Sequence, residues 1–232
     1  MRKALLRRLK FGLLALFTLA LLWQGWYLGW VLWWKHFDPG TTHFMSLRLD
    51  ELRAKNPKAE LKHQWVPYEK LSVQLKRAVV AAEDDKFVDH EGFDWEGMQK
   101  ALEKNQKKGK VVAGGSTISQ QLAKNLFLSP SKTPLRKVQE AVITVWLELF
   151  WDKRRILEVY LNVVEWGEGV FGAEAAARRY YGTGAGKLSA EQAARLAVML
   201  PAPRRYEKNP YSAFVNGRTE TILGRMQYSE VP

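Results

Sequence analysis

The sequence predicts a mainly α-helical protein, with a helical soluble domain behind one N-terminal transmembrane helix. Three observations carry this. No charged residue occurs from Phe11 to Trp34, and about 20 apolar residues suffice to cross a bilayer core. Beyond Pro67, apolar residues recur at three- and four-residue spacing, the period of a helix with one buried face. Helix-start residues precede several of these segments, and no sustained alternation of a strand appears after residue 67.

Length and charge set the outer bounds. A chain of 232 residues holds one ordinary domain plus an appendage. The net charge of +12 suggests an anionic partner: nucleic acid, acidic lipid or a phosphorylated substrate. With no cysteine, disulfides, thiolate zinc sites and cysteine nucleophiles are excluded.

Residues 1–10 form a basic tail with Arg2, Lys3, Arg7, Arg8 and Lys10. Residues 11–34 form the transmembrane helix, with Trp23, Trp26, Trp30, Trp33 and Trp34 toward its far end, where an interfacial aromatic belt belongs. The basic tail is expected to stay cytoplasmic, placing Lys35 onward outside. A cleaved signal peptide fits less well. The run exceeds the usual apolar core, and bulky aromatics replace the small residues of a cleavage site.

Residues 35–67 read as a juxtamembrane linker and lead-in, irregular or with short strands, because Pro39, Gly40, Pro57 and Pro67 punctuate them. The domain is expected over 68–232. Leu71, Leu75, Ala78, Val79 and Ala82 predict a helix that delivers Glu83 at its C-terminal end. Asp94 is expected to cap a helix to about Gln106. Thr117 with Gln120 fits a capping box for a helix through Leu126. Thr133-Pro134 starts a helix to about Trp151. Asp152 caps a segment from Lys153 to Asn162. Residues 173–181 form a further helix stopped by Gly182. Ser189 with Gln192 opens one ending near Pro201, and Asn209-Pro210 opens the last.

The densest chemistry lies in Glu83-Asp84-Asp85-Lys86-Phe87-Val88-Asp89-His90-Glu91-Gly92, which packs five carboxylates and a histidine into ten residues. By itself this is either a solvated turn or an active site. The basic, glycine-bearing loop 107–115 is either a mobile flap or a plain connector. In the following helix, Ser116, Thr117, Gln120, Gln121 and Lys124 share one arc opposite Ile118, Leu122 and Leu126. That polar arc lacks the Glu/Lys pairs of an ordinary solvated face. With approachable amides behind Gly114 and Gly115, it suits an anion such as phosphate. In the next helix the apolar face is Val138, Val142, Val145 and Leu149, with Glu140 on the polar side near Arg136 and Lys137. This is either an intrahelical ion pair or a carboxylate held ionised beside an anion site. Lys153 to Asn162 reads as mostly structural, with Ile156, Leu157, Tyr160 and Val163 buried.

Two motif matches are discarded. Ser129-Pro130-Ser131-Lys132 lacks the partner motifs of acyl-serine enzymes. Gly182-Thr183-Gly184-Ala185-Gly186-Lys187-Leu188 lacks P-loop spacing and its Ser/Thr. The four histidines have no ligand spacing, so no protein metal site is expected.

Taken together these segments resemble the peptidoglycan glycosyltransferases, glycosyltransferase family 51. E-D-x-x-F-x-x-H-x-G is met by Glu83, Asp84, Phe87, His90 and Gly92. G-x-S-T-x-x-Q-Q is met by Gly114, Ser116, Thr117, Gln120 and Gln121, and Lys124 and Asn125 follow. R-K-x-x-E is met by Arg136, Lys137 and Glu140, and K-x-x-I-L-x-x-Y-x-N by Lys153, Ile156, Leu157, Tyr160 and Asn162. R-x-x-x-V-L is met by Arg218 and Leu223, with Ile222 replacing valine.

The resemblance implies a lysozyme-like helical fold, anchored in the bacterial inner membrane with its catalytic domain in the periplasm. It implies polymerisation of lipid II into β-1,4-linked glycan strands with release of undecaprenyl diphosphate. It further implies a monofunctional enzyme, with no transpeptidase domain expected. Catalytic roles fall to Glu83, as general base on the acceptor 4-hydroxyl, and to Glu140. Ser116, Gln120, Gln121, Lys124, Lys132, Arg136 and Arg218 are expected to bind substrate. Asp84, His90, Lys137, Lys153 and Asn162 are supports, and Asp85, Asp89 and Glu91 a solvated turn. No cofactor is tightly bound; Mg2+ or Mn2+ is a candidate companion of the diphosphate. Inversion at an α-linked donor leads to the expectation that the two glutamates sit more than roughly 6.5 Å apart, by analogy with inverting glycosidases.

Partners are lipid II, the growing lipid-linked strand, the membrane and cell-wall synthesis or division proteins. Nucleic acid is not expected, since the topology is exported and no aromatic-basic RNA motif is present. Two rival readings are a lysozyme-like lytic transglycosylase and a non-catalytic membrane-anchored scaffold. The first explains neither the amide-lined basic face nor the membrane span, and a scaffold would tolerate Glu83→Gln.

Overall fold

The computed structural model describes all residues except Met1, 111–113 and 132; the side chains of Arg2, Ala4 and Leu5 are also left aside. The described residues are mainly helical, as expected. Helix α1 (Arg2–Trp34) includes an apolar stretch, Leu6–Trp34, of 29 residues. At 1.5 Å per residue that is about 43 Å, ample for a bilayer core of about 30 Å.

The soluble helices are α2 (His43–Arg53), α3 (Val73–Glu83), α4 (Trp95–Lys108), α5 (Ile118–Phe127), α6 (Pro134–Phe150), α7 (Lys153–Val163), α8 (Ala173–Tyr181), α9 (Ala190–Met199), α10 (Pro203–Tyr206) and α11 (Ala213–Met226). The expected caps are present. Asp94, Thr117, Thr133, Asp152 and Ser189 each accept a backbone N–H from the first turn, and Thr117 and Ser189 close full capping boxes. Gly182 ends α8 at φ +64°, a conformation that glycine adopts without steric cost.

Three local expectations are corrected. The linker contains α2, capped by Thr42 and held by buried Phe44 and Met45. It forms because this apolar pair packs toward α5 and Phe171. The strands are short, in keeping with the lack of sustained alternation after residue 67. β1 (Lys62–His63) runs parallel to β3 (Val170–Phe171), which pairs antiparallel with β2 (Glu165–Gly167). At two or three residues these strands are too short to show an alternation. The last helix starts at Ala213, capped by Ser212 rather than Asn209. Finally, the α6 faces are inverted. Gln139, Glu140, Ile143, Thr144 and Leu147 are buried, while Leu135 (72 % exposed), Val138, Val145 and Leu149 (69 %) point outward. The outward stripe lies on a helix that packs beside α1.

The core runs through α3, α5, α7, α9 and α11, with Leu75, Phe87, Ile118, Leu122, Leu157 and Ile222 at its centre. The far end of α1 docks on this body. Tyr27 and Trp34 pack against Phe127, with ring centroids 5.5 and 5.2 Å away. Trp151 Nε1 donates to the Val31 carbonyl at 2.8 Å. Gln24 and Gln139 exchange amide hydrogen bonds at 2.8 and 3.1 Å. The apolar helix α1 is thus fixed to the segment of α6 that carries Glu140.

Candidate active site

Glu83 is the last residue of α3, so its side chain leaves the helix where the chain turns into Asp84. It is half-buried and lines a cleft of about 180 Å³ with Asp84, Asp85, Met98, Gly114–Thr117 and Arg225. Gln121 Nε2 donates to Glu83 Oε2 at 2.7 Å. The buried Tyr160 hydroxyl donates to the other end of that amide, Gln121 Oε1, at 3.0 Å. Burial pushes the Glu83 carboxyl above the usual carboxylate range. The Gln121 hydrogen bond, Lys124 and Arg218 oppose the shift, and the Asp84 charge adds to it. The Tyr160 hydroxyl is pushed well up by burial and by the Glu83 and Asp84 charges, so it stays a donor.

Asp84 is the hinge of the acid-rich segment. Its carboxylate accepts from the Ile118 N–H at 2.9 Å, at the first turn of α5. It also meets His90 Nε2 at 2.9 Å. Gly92 N–H donates to His90 Nδ1 at 3.0 Å, so the ring proton sits on Nε2 and is donated to Asp84. The Gly92 carbonyl accepts from Thr117 Oγ1 at 2.7 Å. Lys153 Nζ holds the His90 carbonyl and Glu148. These bonds join the two motifs and fix Glu83 relative to the start of α5.

Glu140 is 3 % exposed. Arg136 Nη1 donates to its Oε2 at 2.5 Å, and Lys137 holds the other oxygen. Lys137 Nζ also donates to Ser116 Oγ at 3.2 Å, which ties this cluster to the cleft wall. Lys124 is electrostatically coupled to both glutamates. Burial pulls its ammonium below the usual lysine range, against the attraction of Glu140 and Glu83. Among the described residues no hydrogen bond or ion pair holds the Lys124 ammonium, and the buried Arg136 Nε has no acceptor. A buried donor without a partner is costly, and an anion reaching Arg136 Nε would relieve that cost; the half-buried Lys124 ammonium lies 5.9 Å from the Phe44 ring centroid. Glu83 and Glu140 keep separate partners and share no hydrogen bond.

The predicted residues therefore divide. Glu83, Gln121, Lys124, Ser116, Arg136, Lys137 and Glu140 form one connected region, and Arg218 on α11 is close enough to act on Glu83. Gln120 does not face the cleft: it is 2 % exposed, and its Oε1 accepts from Thr117 N–H to close the capping box. Gln121 serves Glu83 directly. Asn162 lies elsewhere, clamping both backbone groups of Val66 at 2.8 and 2.9 Å. Lys132, and part of the 107–115 loop, lie outside the described residues. Asp85 is more than a solvated turn, since it accepts from Arg225 at 3.0 Å and Ser229 at 3.1 Å. Sequence reasoning missed the Tyr160 hydroxyl by placing the residue in a buried stripe; its motif position was the only signal.

Residues able to hold a metal do not converge here. Both Glu140 oxygens are taken by cations, and the described residues contain no cluster of three or more His, Asp or Glu suited to an ion.

The transglycosylase family profile matches residues 50–227. The chain is 64 % identical over 230 residues to a biosynthetic peptidoglycan transglycosylase of Dechloromonas aromatica (strain RCB), covering 99 % of this chain and all of that one. A protein of the same description from Azoarcus sp. (strain BH72) is 64 % identical, covering 99 % of both chains. One from Chromobacterium violaceum is 57 % identical over 226 residues, covering 97 % and 99 %. The chain belongs to the transglycosylase family. Within that class it is a peptidoglycan glycosyltransferase, with an N-terminal apolar helix suited to a single-pass membrane anchor.

Proposed function

We propose that this glycosyltransferase polymerises lipid II by inverting transfer, with Glu83 as general base. The observation that carries this reading is the Glu83 carboxylate, half-buried, aimed by Gln121, and close enough to Lys124 to feel its charge. A carboxylate whose proton affinity is raised by burial is suited to accept a proton near neutral pH. The acceptor 4-hydroxyl gives its proton to Glu83 as its oxygen bonds to the donor C1. The C1–O bond to phosphate breaks, and the electron pair leaves with undecaprenyl diphosphate.

The leaving diphosphate needs positive charge and donors. Lys124, Arg136 with its free Nε, and Arg218 supply them, with Ser116 at the cleft wall. Glu140 acts by holding Arg136 and Lys137 in place. Mg2+ or Mn2+ would arrive with the diphosphate and add positive charge to it. The basic tail lies in the cytoplasm and the catalytic domain in the periplasm. Because α6 packs beside α1, its outward apolar stripe rests against the lipid, close to where a lipid-linked donor would enter.

Incubating purified enzyme with lipid II tests this. Wild type should give polymer, and Glu83→Gln none while remaining folded. Glu140→Gln should lose most activity. Polymer from Glu83→Gln removes that residue from the base role. Soluble muropeptides released from sacculi, without polymer from lipid II, would instead favour cleavage.

A further inference from the structure

The exposed face of α11 leads away from the Glu83 cleft. At 100° per residue, Phe214, Gly217, Arg218, Thr221, Gly224 and Arg225 share one arc. All six are exposed. Arg225 lines the cleft and donates through Nη2 to Asp85, which leaves Nη1 and Nε–H available. Arg218, about two turns earlier, acts on the Glu83 charge and has no ion pair among the described residues. Phe214 stands about three turns from Arg225. Its ring is stacked on Tyr206, with centroids 5.7 Å apart and planes at 13°. Gly217 and Gly224 have open space above them, so a ligand can approach the backbone between the side chains. The helix's one acid, Glu220, lies outside the arc.

This pattern differs from the outward face of α6. That face is aliphatic, whereas the α11 arc combines a flat aromatic pair with two cations and carries no Leu, Ile or Val. A flat ring suits the C–H face of a sugar, and guanidinium groups suit carboxylates. We propose that the α11 face is a track for the glycan strand already made. Phe214, supported by Tyr206, stacks a saccharide ring, and Arg225 takes a carboxylate of a peptide stem. The proposal rests on the polymerase reading, because a strand lengthening at Glu83 needs a surface along which to leave.

The test uses the full-length chain in detergent micelles and labelled, lipid-free, uncross-linked glycan strands, read by fluorescence anisotropy. One set of strands keeps its peptide stems; the other has them removed by an amidase. Phe214→Ala should weaken binding of both sets about fivefold. Arg225→Ala should weaken binding of stem-bearing strands about tenfold and leave bare strands unchanged. Phe214→Leu and Arg225→Lys serve if the alanine variants melt early, and losses in the same direction are expected. Wild-type strand affinity in both positions' variants overturns the track. A Phe214→Ala loss confined to phospholipid vesicles, with strand binding intact, overturns it in favour of a lipid contact. Glu83→Gln, run in parallel, should bind strands normally without making them. If it still makes polymer, the base assignment fails alone, and the strand comparison still decides the track.

Discussion

Gln121 donates to Glu83 Oε2 at 2.7 Å while its own carbonyl accepts from Tyr160 at 3.0 Å. An ionised carboxylate only accepts, so Glu83 takes the Gln121 amide N–H and the amide oxygen is left to the Tyr160 hydroxyl, which holds the amide in that orientation. A buried residue thereby supports the amide that positions the proposed base.

Tyr160→Phe should therefore act on the proton affinity of Glu83. The change leaves the Gln121 carbonyl unsatisfied, at about 1–3 kcal/mol. It loosens a bond that holds the Glu83 pKa down, so that pKa rises further. The acid limb of kcat/KM should move to higher pH, with KM little altered. Gln121→Ala should move it in the same direction and further. Initial rates across pH decide this, and an unmoved limb in both variants would refute the relay.

Stability should show the same perturbation. The folded-state pKa of Glu83 is raised, so the native chain binds a proton more tightly than the unfolded chain. Stability then falls as pH rises from the unfolded carboxylate range through the raised folded value. Glu83→Gln removes that loss. Its Tm should equal or exceed that of wild type at neutral pH, and the difference should close in acid. A variant Tm well below wild type at neutral pH would contradict this.

Gly92 should tolerate no side chain. Its φ is +89°, and a Cβ would meet Thr144 Cγ2 at 2.8 Å and Glu148 Cγ at 2.9 Å. Gly92→Ala should cost about 2–4 kcal/mol, from backbone strain and overpacking together. Denaturant titration measures it. A loss under about 0.5 kcal/mol would be that of an ordinary surface site.

Adjacent aspartates should respond differently. Asp84 is buried and joins Ile118 N–H to His90, so Asp84→Asn should destabilise by about 1–3 kcal/mol. Asp85 is exposed, and its pair with Arg225 should be worth at most about 1 kcal/mol. Equal losses from Asp84→Asn and Asp85→Asn in chemical denaturation would contradict the division.

Local signals in the sequence were enough to place most helices. Asp94, Thr117, Thr133, Asp152 and Ser189 cap helices because a short polar side chain reaches a free N–H within one turn, which needs no distant partner. The uncharged run to Trp34 is equally local. Helix α2 was obscured because the nearby prolines and glycine suggested a linker, while its apolar pair gains its partners only from α5 and Phe171.

The sequence by itself determined the helical class, the apolar anchor and the residue types of the site. Only the tertiary structure decided which way those residues face. Periodicity reports that α6 has an apolar stripe but not what lies against it. Beside α1 the stripe turns outward, and Glu140 goes inside, held by the half-buried Arg136 and the exposed Lys137. Likewise, the polar arc of α5 divides into Gln120, which closes a cap, and Gln121, which aims Glu83. Residues 83, 121 and 160 are far apart in the chain. Their hydrogen-bond geometry is set by the packing of α3, α5 and α7, which no local pattern encodes.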